Sequence, residues 1–184
     1  MTDNQNQMED NMTTERGMLT GMFRDRESTE SAYNTLQERG YSKDDISLVM
    51  SDDTRKKHFS GDDADTEIGT KAAEGAGKGS AIGSTVGAIV GVIAAIGTSL
   101  VIPGLGIVIA GPIAAGLAGA GAGGITGGII GALVGSGIPE ERAKLYESGI
   151  ESGNIVMGVN PRNAEDAKFF EENWRTNNGE QIHN

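Results

Sequence analysis

Hydrophobic and polar positions alternate with two different periods at the two ends of this chain, and between them lies a stretch with no polar contrast. Met18 to Phe23 alternates with a period of two, placing Leu19, Gly21 and Phe23 on one face and Met18, Thr20 and Met22 on the other. This predicts a short strand. The following helix can be capped by Asp25 or Ser28 and runs to about Arg39, with Ala32, Tyr33 and Leu36 as its buried stripe and Gly40 as its left-handed stop. After a polar turn at Ser42 to Asp45, Ile46, Leu48 and Met50 alternate in a second strand. Strand, helix and strand make a β-α-β unit whose two strands should run parallel.

The same signals return near the other end. Pro139 to Ser148 predicts a helix, with Glu140 and Glu141 at its positive end and Gly149 near its stop. Ile155, Met157 and Val159 alternate in a third strand. Asn163 caps a last helix with Ala167, Phe170 and Trp174 on one stripe. Residues 1–16 and 176–184 are polar, lack an apolar period and read as disordered tails. The chain therefore divides into a tail (1–16), a first half-domain (17–51), a charged linker (52–74), a glycine-rich, largely uncharged block (75–137), a second half-domain (138–175) and a tail (176–184). The fold class expected is α+β, a small ferredoxin-like sandwich interrupted by the uncharged block, with the strand order left open.

From Gly79 to Pro139 no side chain is ionisable. The block repeats a small residue every fourth position. One row is Gly75, Gly79, Gly83, Gly87 and Gly91; a second is Gly119, Gly123, Gly127, Gly131 and Gly135; Gly116, Ala120, Gly124, Gly128, Ala132 and Ser136 run beside the second. Such spacing lays a bare edge along an α-helix, where another backbone can approach closely. Each interior Gly costs about 0.8–1 kcal/mol relative to Ala, so these helices need a partner face or a bilayer. With a break at Val101 to Pro112, the block predicts an antiparallel glycine-zipper hairpin, and the ten glycines of the two rows are its candidate helix-packing interface. Each arm, roughly 24–26 residues, is long enough to cross a hydrocarbon core of about 30 Å. Its flanks, with Lys71, Lys78, Arg142 and Lys144, would stay on the cytoplasmic side. Against spanning stand the weakly apolar second arm, the missing Trp and Tyr anchors, and an apolar tip at Leu105 to Ile109. The other reading packs the hairpin on its own sheet.

Composition narrows the chemistry. Glycine accounts for 29 of 184 residues, where ordinary usage gives roughly a dozen. The net charge of −11 disfavours nucleic acid. Cysteine is absent, which removes disulfides, thiol nucleophiles and thiolate metal sites and fits a reducing cytosol. The polar, acidic start lacks the regions of a signal peptide. Gly119 to Gly124 matches a dinucleotide G-x-G-x-x-G, but it lies inside the longer repeat and has no acidic residue about 20 positions on. Gly75 to Ser80 departs from a phosphate loop because Gly79 breaks the Gly-Lys-Ser run. Asp62, Asp63 and Asp65 lack the rest of a calcium loop. His58 and His183 have no neighbouring ligand spacing. Phe169, Phe170 and Trp174 read as core ahead of a binding patch. No catalytic, cofactor-binding or metal residues are assigned, and no cofactor is expected.

Gly17 to Phe23 and Gly40 to Met50, then the glycine-rich block, then Gly137 to Ile150 and Ile155 to Val159, resemble in their order the opening and closing halves of general-stress-protein (heat-induced stress protein) domains, to which low-temperature-induced proteins are similar. The resemblance covers roughly residues 17–175. It implies stress-linked expression and transfers no catalytic residue. The function expected is a non-enzymatic stress-response interaction protein, cytoplasmic and open to inner-membrane association. Its partners would be itself, as a homo-oligomer, and a lipid bilayer. The alternative is a soluble regulatory or apolar-ligand-binding module.

Overall fold

The computed structural model describes residues 17–59, 100–102, 106–114 and 128–184. Strand β1 (Leu19–Phe23) leads into helix α1 (Arg26–Glu38), a 3-10 turn (Lys43–Asp45) and strand β2 (Ile46–Ser51). Asp25 caps α1, its carboxylate accepting from the Ser28 backbone N–H at 2.8 Å. Helix α2 (Asp52–Phe59) follows directly. The first part of the segment expected as a linker is thus helical. Ser51 Oγ accepts from Thr54 N at 3.0 Å, Asp52 pairs with Arg55 and Lys56 one turn on, and Phe59 is buried. The expectations for 1–16 and for 60–74 lie outside the described residues.

Strands β3 (Leu100–Ile102) and β4 (Ile107–Ala110) form an antiparallel pair, and β4 pairs in turn with β2, from Leu48↔Ala110 to Ser51↔Ile107. This corrects the expected helical hairpin at its tip: the break at Val101 to Pro112 is not a loop but two strands of the sheet. β-Branched residues favour the pleat, and a strand buried on both faces reads as a continuous apolar run. Ile107 and Ile109 face one layer while Val108 and Ala110 face the other, and all four are buried. The apolar tip that suits no water-facing loop suits a strand.

Helix α3 (Gly128–Gly135), helix α4 (Glu140–Glu151), strand β5 (Ile155–Val159), helix α5 (Ala164–Thr176) and strand β6 (Glu180–His183) complete the described chain. Two expectations change here. Helix α4 runs to Glu151, three residues beyond the expected Ser148, and the positive φ comes at Gly153 (95°). The segment 176–184 is not a disordered tail throughout, because 180–183 pair with β1 and Ile182 packs on the core.

The sheet has the order β3-β4-β2-β5-β1-β6, and every neighbouring pair is antiparallel. Strands β1 and β2 both oppose β5, so they point the same way, as the β-α-β reading requires, but with β5 between them. Strands β5 and β6 likewise flank β1.

Each face of the sheet is covered. On one, which we call the front, α1 and α5 bury Ala32, Tyr33, Leu36, Phe170 and Trp174 against Leu19, Phe23, Leu48, Met157 and their neighbours. On the back, α3 and α4 bury Ile129, Ala132, Leu133, Ala143, Tyr146 and Ile150 against Val49, Ile107, Ile109 and Val156. The described protein is therefore a mixed α+β fold with helices on both faces of an antiparallel sheet.

Candidate functional site

The uncharged block is held where it leaves β4. Gly111 has φ +80°, and a Cβ there would overlap the Ile46 carbonyl oxygen and sit 2.9 Å from Ser47 Cα. Only glycine allows both this turn and this approach. Pro112 then starts helical backbone at 112–114, and the Ile113 N–H donates to Ser47 Oγ at 3.2 Å. Ile113 and Ala114 are buried in the back core. The four-residue glycine rows did not single out Gly111. The signal was its position between an Ile/Val run and a proline.

Of the ten glycines in the expected packing interface, Gly75, Gly79, Gly83, Gly87, Gly91, Gly119, Gly123 and Gly127 lie outside the described residues. Gly131 and Gly135 lie on α3, Gly131 half-buried and Gly135 exposed. The buried stripe of α3 is Ile129, Ala132 and Leu133, so its contact with the domain runs through branched side chains and an alanine. Gly128, in the adjoining row, has φ +68°, outside the right-handed helical region. Beside Gly135, Val134 is exposed.

On the same face α4 comes close to β1. A Cβ on Gly149 would overlap Met22 Sδ, so this glycine seats the thioether. The Tyr146 hydroxyl lies 2.8 Å from both Thr20 Oγ1 and the Gln181 carbonyl oxygen, tying α4 to β1 and β6, and burial raises its pKa. A groove of about 390 Å³ opens beside these contacts, lined by Met22, Leu145, Gly149, Asn154 and Gln181 and bordered by the Arg24–Glu180 ion pair at 2.8 Å.

Among the described residues, the densest polar network is on the front, where the two half-domains meet. Asp166 receives Arg39 Nη1 at 2.6 Å, the Tyr41 hydroxyl at 2.8 Å and Asn163 Nδ2 at 3.2 Å. Burial alone raises the Asp166 carboxyl, but the hydrogen bonds from Tyr41, Arg39 and Asn163, with the Arg39 charge, outweigh it and hold it below 3.8. The Tyr41 hydroxyl also accepts from the Arg162 N–H at 2.7 Å, and the Arg162 guanidinium stacks 4.2 Å from the Tyr41 ring centre. These groups are spent on one another, and the network joins chain segments more than 120 residues apart in sequence. Its signal in the sequence was confined to the Asn163 cap.

The remaining candidates stay separate. Phe170 and Trp174 are fully buried, and Phe169 is partly exposed with Arg39 stacked 4.0 Å from its ring centre. His58 is on α2, where its carbonyl accepts from Arg26 at 2.9 Å; His183 is on β6. Among the described residues no group of three or more His, Cys, Asp or Glu is placed to hold a metal ion. No helix among them is long and apolar enough to cross a membrane. Comparison with protein-family models, curated proteins and solved structures finds no significant match.

Proposed function

We propose that this chain is a non-enzymatic stress-response interaction protein of the general-stress-protein type. Its charge-free block supplies part of the back layer of a ferredoxin-like head and packs helices through its glycine rows, within one molecule or between copies. The sequential resemblance suggests the type, and the order β2-β5-β1-β6 with two interleaved β-α-β units supports the ferredoxin-like description. One observation carries the reading of the block: β4, from its middle, is hydrogen-bonded to β2 of the head.

That pairing weighs against a spanning hairpin. A bilayer crossing would carry the tip about 30 Å from the flanks. The uncharged run 79–99 is long enough for a single pass, which would separate Phe59 from β3 across the membrane. Both belong to the same sheet-and-helix unit. Between Ala114 and Ile129, both in the back core, the chain is too short for an outward and a return pass, which need about 40 residues. The polar groups of the Asp166 network are committed to joining segments of the fold.

Carbonate extraction of expressing cells, followed by sizing with and without detergent, tests the reading of the block. The protein should appear in the carbonate supernatant and keep its size without detergent. Retention in the membrane pellet would overturn it. Gly87→Leu and Gly127→Leu test the glycine rows separately: each should lower thermal stability or change assembly size, and a variant unaltered in both would remove that row from the proposal.

A further inference from the structure

Strand β6 is joined to the sheet by few ties, and one of its side chains sits where only its neutral form is satisfied. Between the pairs Thr20↔His183 and Met22↔Glu180, Gln181 and Ile182 both lie opposite Gly21, and Gln181 takes φ +48°, a backbone conformation that costs a non-glycine residue. Ile182 turns to the front and packs with Trp174 on Gly21. On the back, the Tyr146 hydroxyl holds the Gln181 carbonyl oxygen at 2.8 Å, while Thr20 Oγ1 reaches the His183 carbonyl oxygen only at 3.5 Å. At the start of the strand Glu180 pairs with Arg24 in an exposed position.

His183 lies opposite Thr20 and so shares the back face with it. The residue is half-buried, but its Nε2 atom is covered and has no hydrogen-bond partner among the described residues. A neutral imidazole can leave that nitrogen as a bare lone pair; the imidazolium must put an N–H there, with no acceptor. Helix α4 presents Arg142, a like charge, and Tyr146, a phenol that burial keeps neutral. The other charges of α4 are turned elsewhere: Glu147 lies beside Gly128, and Lys144 pairs with Glu140. Strand β1 has no ionisable side chain from Leu19 to Phe23, nor has α3, and Glu180 is spent on Arg24. Burial and the Arg142 charge therefore hold the ring below its ordinary 6.5.

We infer that β6 is a proton-released strand: when His183 takes up a proton, residues 180–183 leave β1, and the six-stranded sheet becomes a five-stranded one with β1 at its edge. In the released strand the imidazolium is hydrated away from Arg142, and Gln181 regains an ordinary backbone conformation. The released ring titrates near 6.5 and the docked one lower. Docking is thus at full strength above 6.5 and weakens as pH falls from there through the docked value, the opening constant rising by up to about tenfold per pH unit in that window. This device is independent of the glycine rows, and its failure leaves the reading of the block intact.

Hydrogen exchange of residues 180–183 in the full chain, corrected for the intrinsic pH dependence of amide exchange, reads the opening constant directly. In wild type that constant should rise about threefold or more between about pH 7 and about pH 5. It should stay level in His183→Gln, which cannot take up the proton, and should rise as in wild type in His58→Gln, which removes the other histidine. A proton NMR titration of the His183 ring in the wild-type protein provides a second reading without any substitution, with a midpoint expected below the ordinary 6.5. Three results would each overturn the inference: an opening constant in wild type that does not change with pH, a His183→Gln variant whose opening constant rises as wild type's does, or a ring that titrates at or above 6.5.

Discussion

The two faces of the sheet are built from different materials. The front core holds Phe23, Tyr33, Tyr41, Phe59, Phe170 and Trp174, with Phe23 edge-on to Trp174 at 5.7 Å and Tyr41 edge-on to Phe170 at 5.1 Å. Its helices have side-chain caps, and the Asp166 network closes its rim. The back core has one aromatic, Tyr146, among Ile, Val, Leu, Ala and Met. Its wall is supplied partly by the uncharged block, through Ile107, Ile109, Ile113, Ala114, Ile129, Ala132 and Leu133. The front thus gains specificity from a few large side chains and charge-assisted bonds. The back is filled by branched aliphatic side chains with a few alanines, and backbone comes close to backbone where the uncharged block enters it at Gly111.

The largest expected effect follows from that difference. Gly111→Ala should destabilise the fold by about 3–5 kcal/mol, because the new Cβ meets the Ile46 backbone and the left-handed φ resists a side chain. Urea unfolding checks it; a loss under about 1 kcal/mol would mean that the turn into the back layer has room to move. Next comes a matched pair of truncations. Trp174→Ala on the front should cost about 3–5 kcal/mol and Leu133→Ala on the back about 2–5 kcal/mol. Amide hydrogen exchange separates them: Leu133→Ala should loosen α3 and α4 before α1 and α5. Equal loosening of all four helices would show that the two layers open as one unit.

The same contrast explains which parts could be read beforehand. On the front, charged residues alternate with apolar ones at helical spacing, and Ala32, Tyr33 and Leu36, like Ala167, Phe170 and Trp174, are the buried stripes that spacing predicts. In the uncharged block every residue is apolar or small, so periodicity has no polar face to contrast with and cannot separate helix from strand. There Val101, Ile102, Ile107, Val108 and Ile109 carried the only local signal, β-branching, and the glycine spacing masked it. The C-terminal strand was hidden for the opposite reason, since Glu180–His183 is mostly polar and half-exposed and its burial rests on Ile182. The Asp166 cluster joins residues distant in sequence, so no spacing could reveal it.

Asp166 is 7% exposed and close to the molecular surface, and it tests whether the front rim matters to stability. Asp166→Asn replaces charge-assisted bonds to Arg39 and Tyr41 with neutral ones and should cost about 1.5–3 kcal/mol at neutral pH. The carboxyl titrates lower in the folded chain than its ordinary 3.8. Its contribution is therefore fully present above that value and disappears as pH falls through the lower, folded one. Wild type and Asp166→Asn should converge in stability on acidification through this window. A gap that stays constant down to the acid limit would assign the loss to packing instead of charge.

The smallest effects concern the helix starts, where the two faces differ once more. Front helix α1 is capped by Asp25, whereas back helix α4 begins at Pro139 with no side-chain cap bond. Asp25→Ala should remove about 0.5–2 kcal/mol, since Ser28 N loses its acceptor at 2.8 Å. Pro139→Asp should act the other way. Pro139 has φ −55° and ψ 142°, compatible with a capping residue, and its carbonyl already receives the Ala143 N–H at 2.9 Å. An aspartate there supplies an acceptor for the free N–H groups of the first turn. Against that stand the lost ring rigidity and repulsion from Glu140 and Glu141, leaving a gain of up to about 1 kcal/mol. Thermal unfolding of the two variants side by side gives the measurement. If Pro139→Asp lowers the transition as Asp25→Ala does, the ring holds the back helix in place, and the bare start of α4 is a packing device and not an unfilled cap.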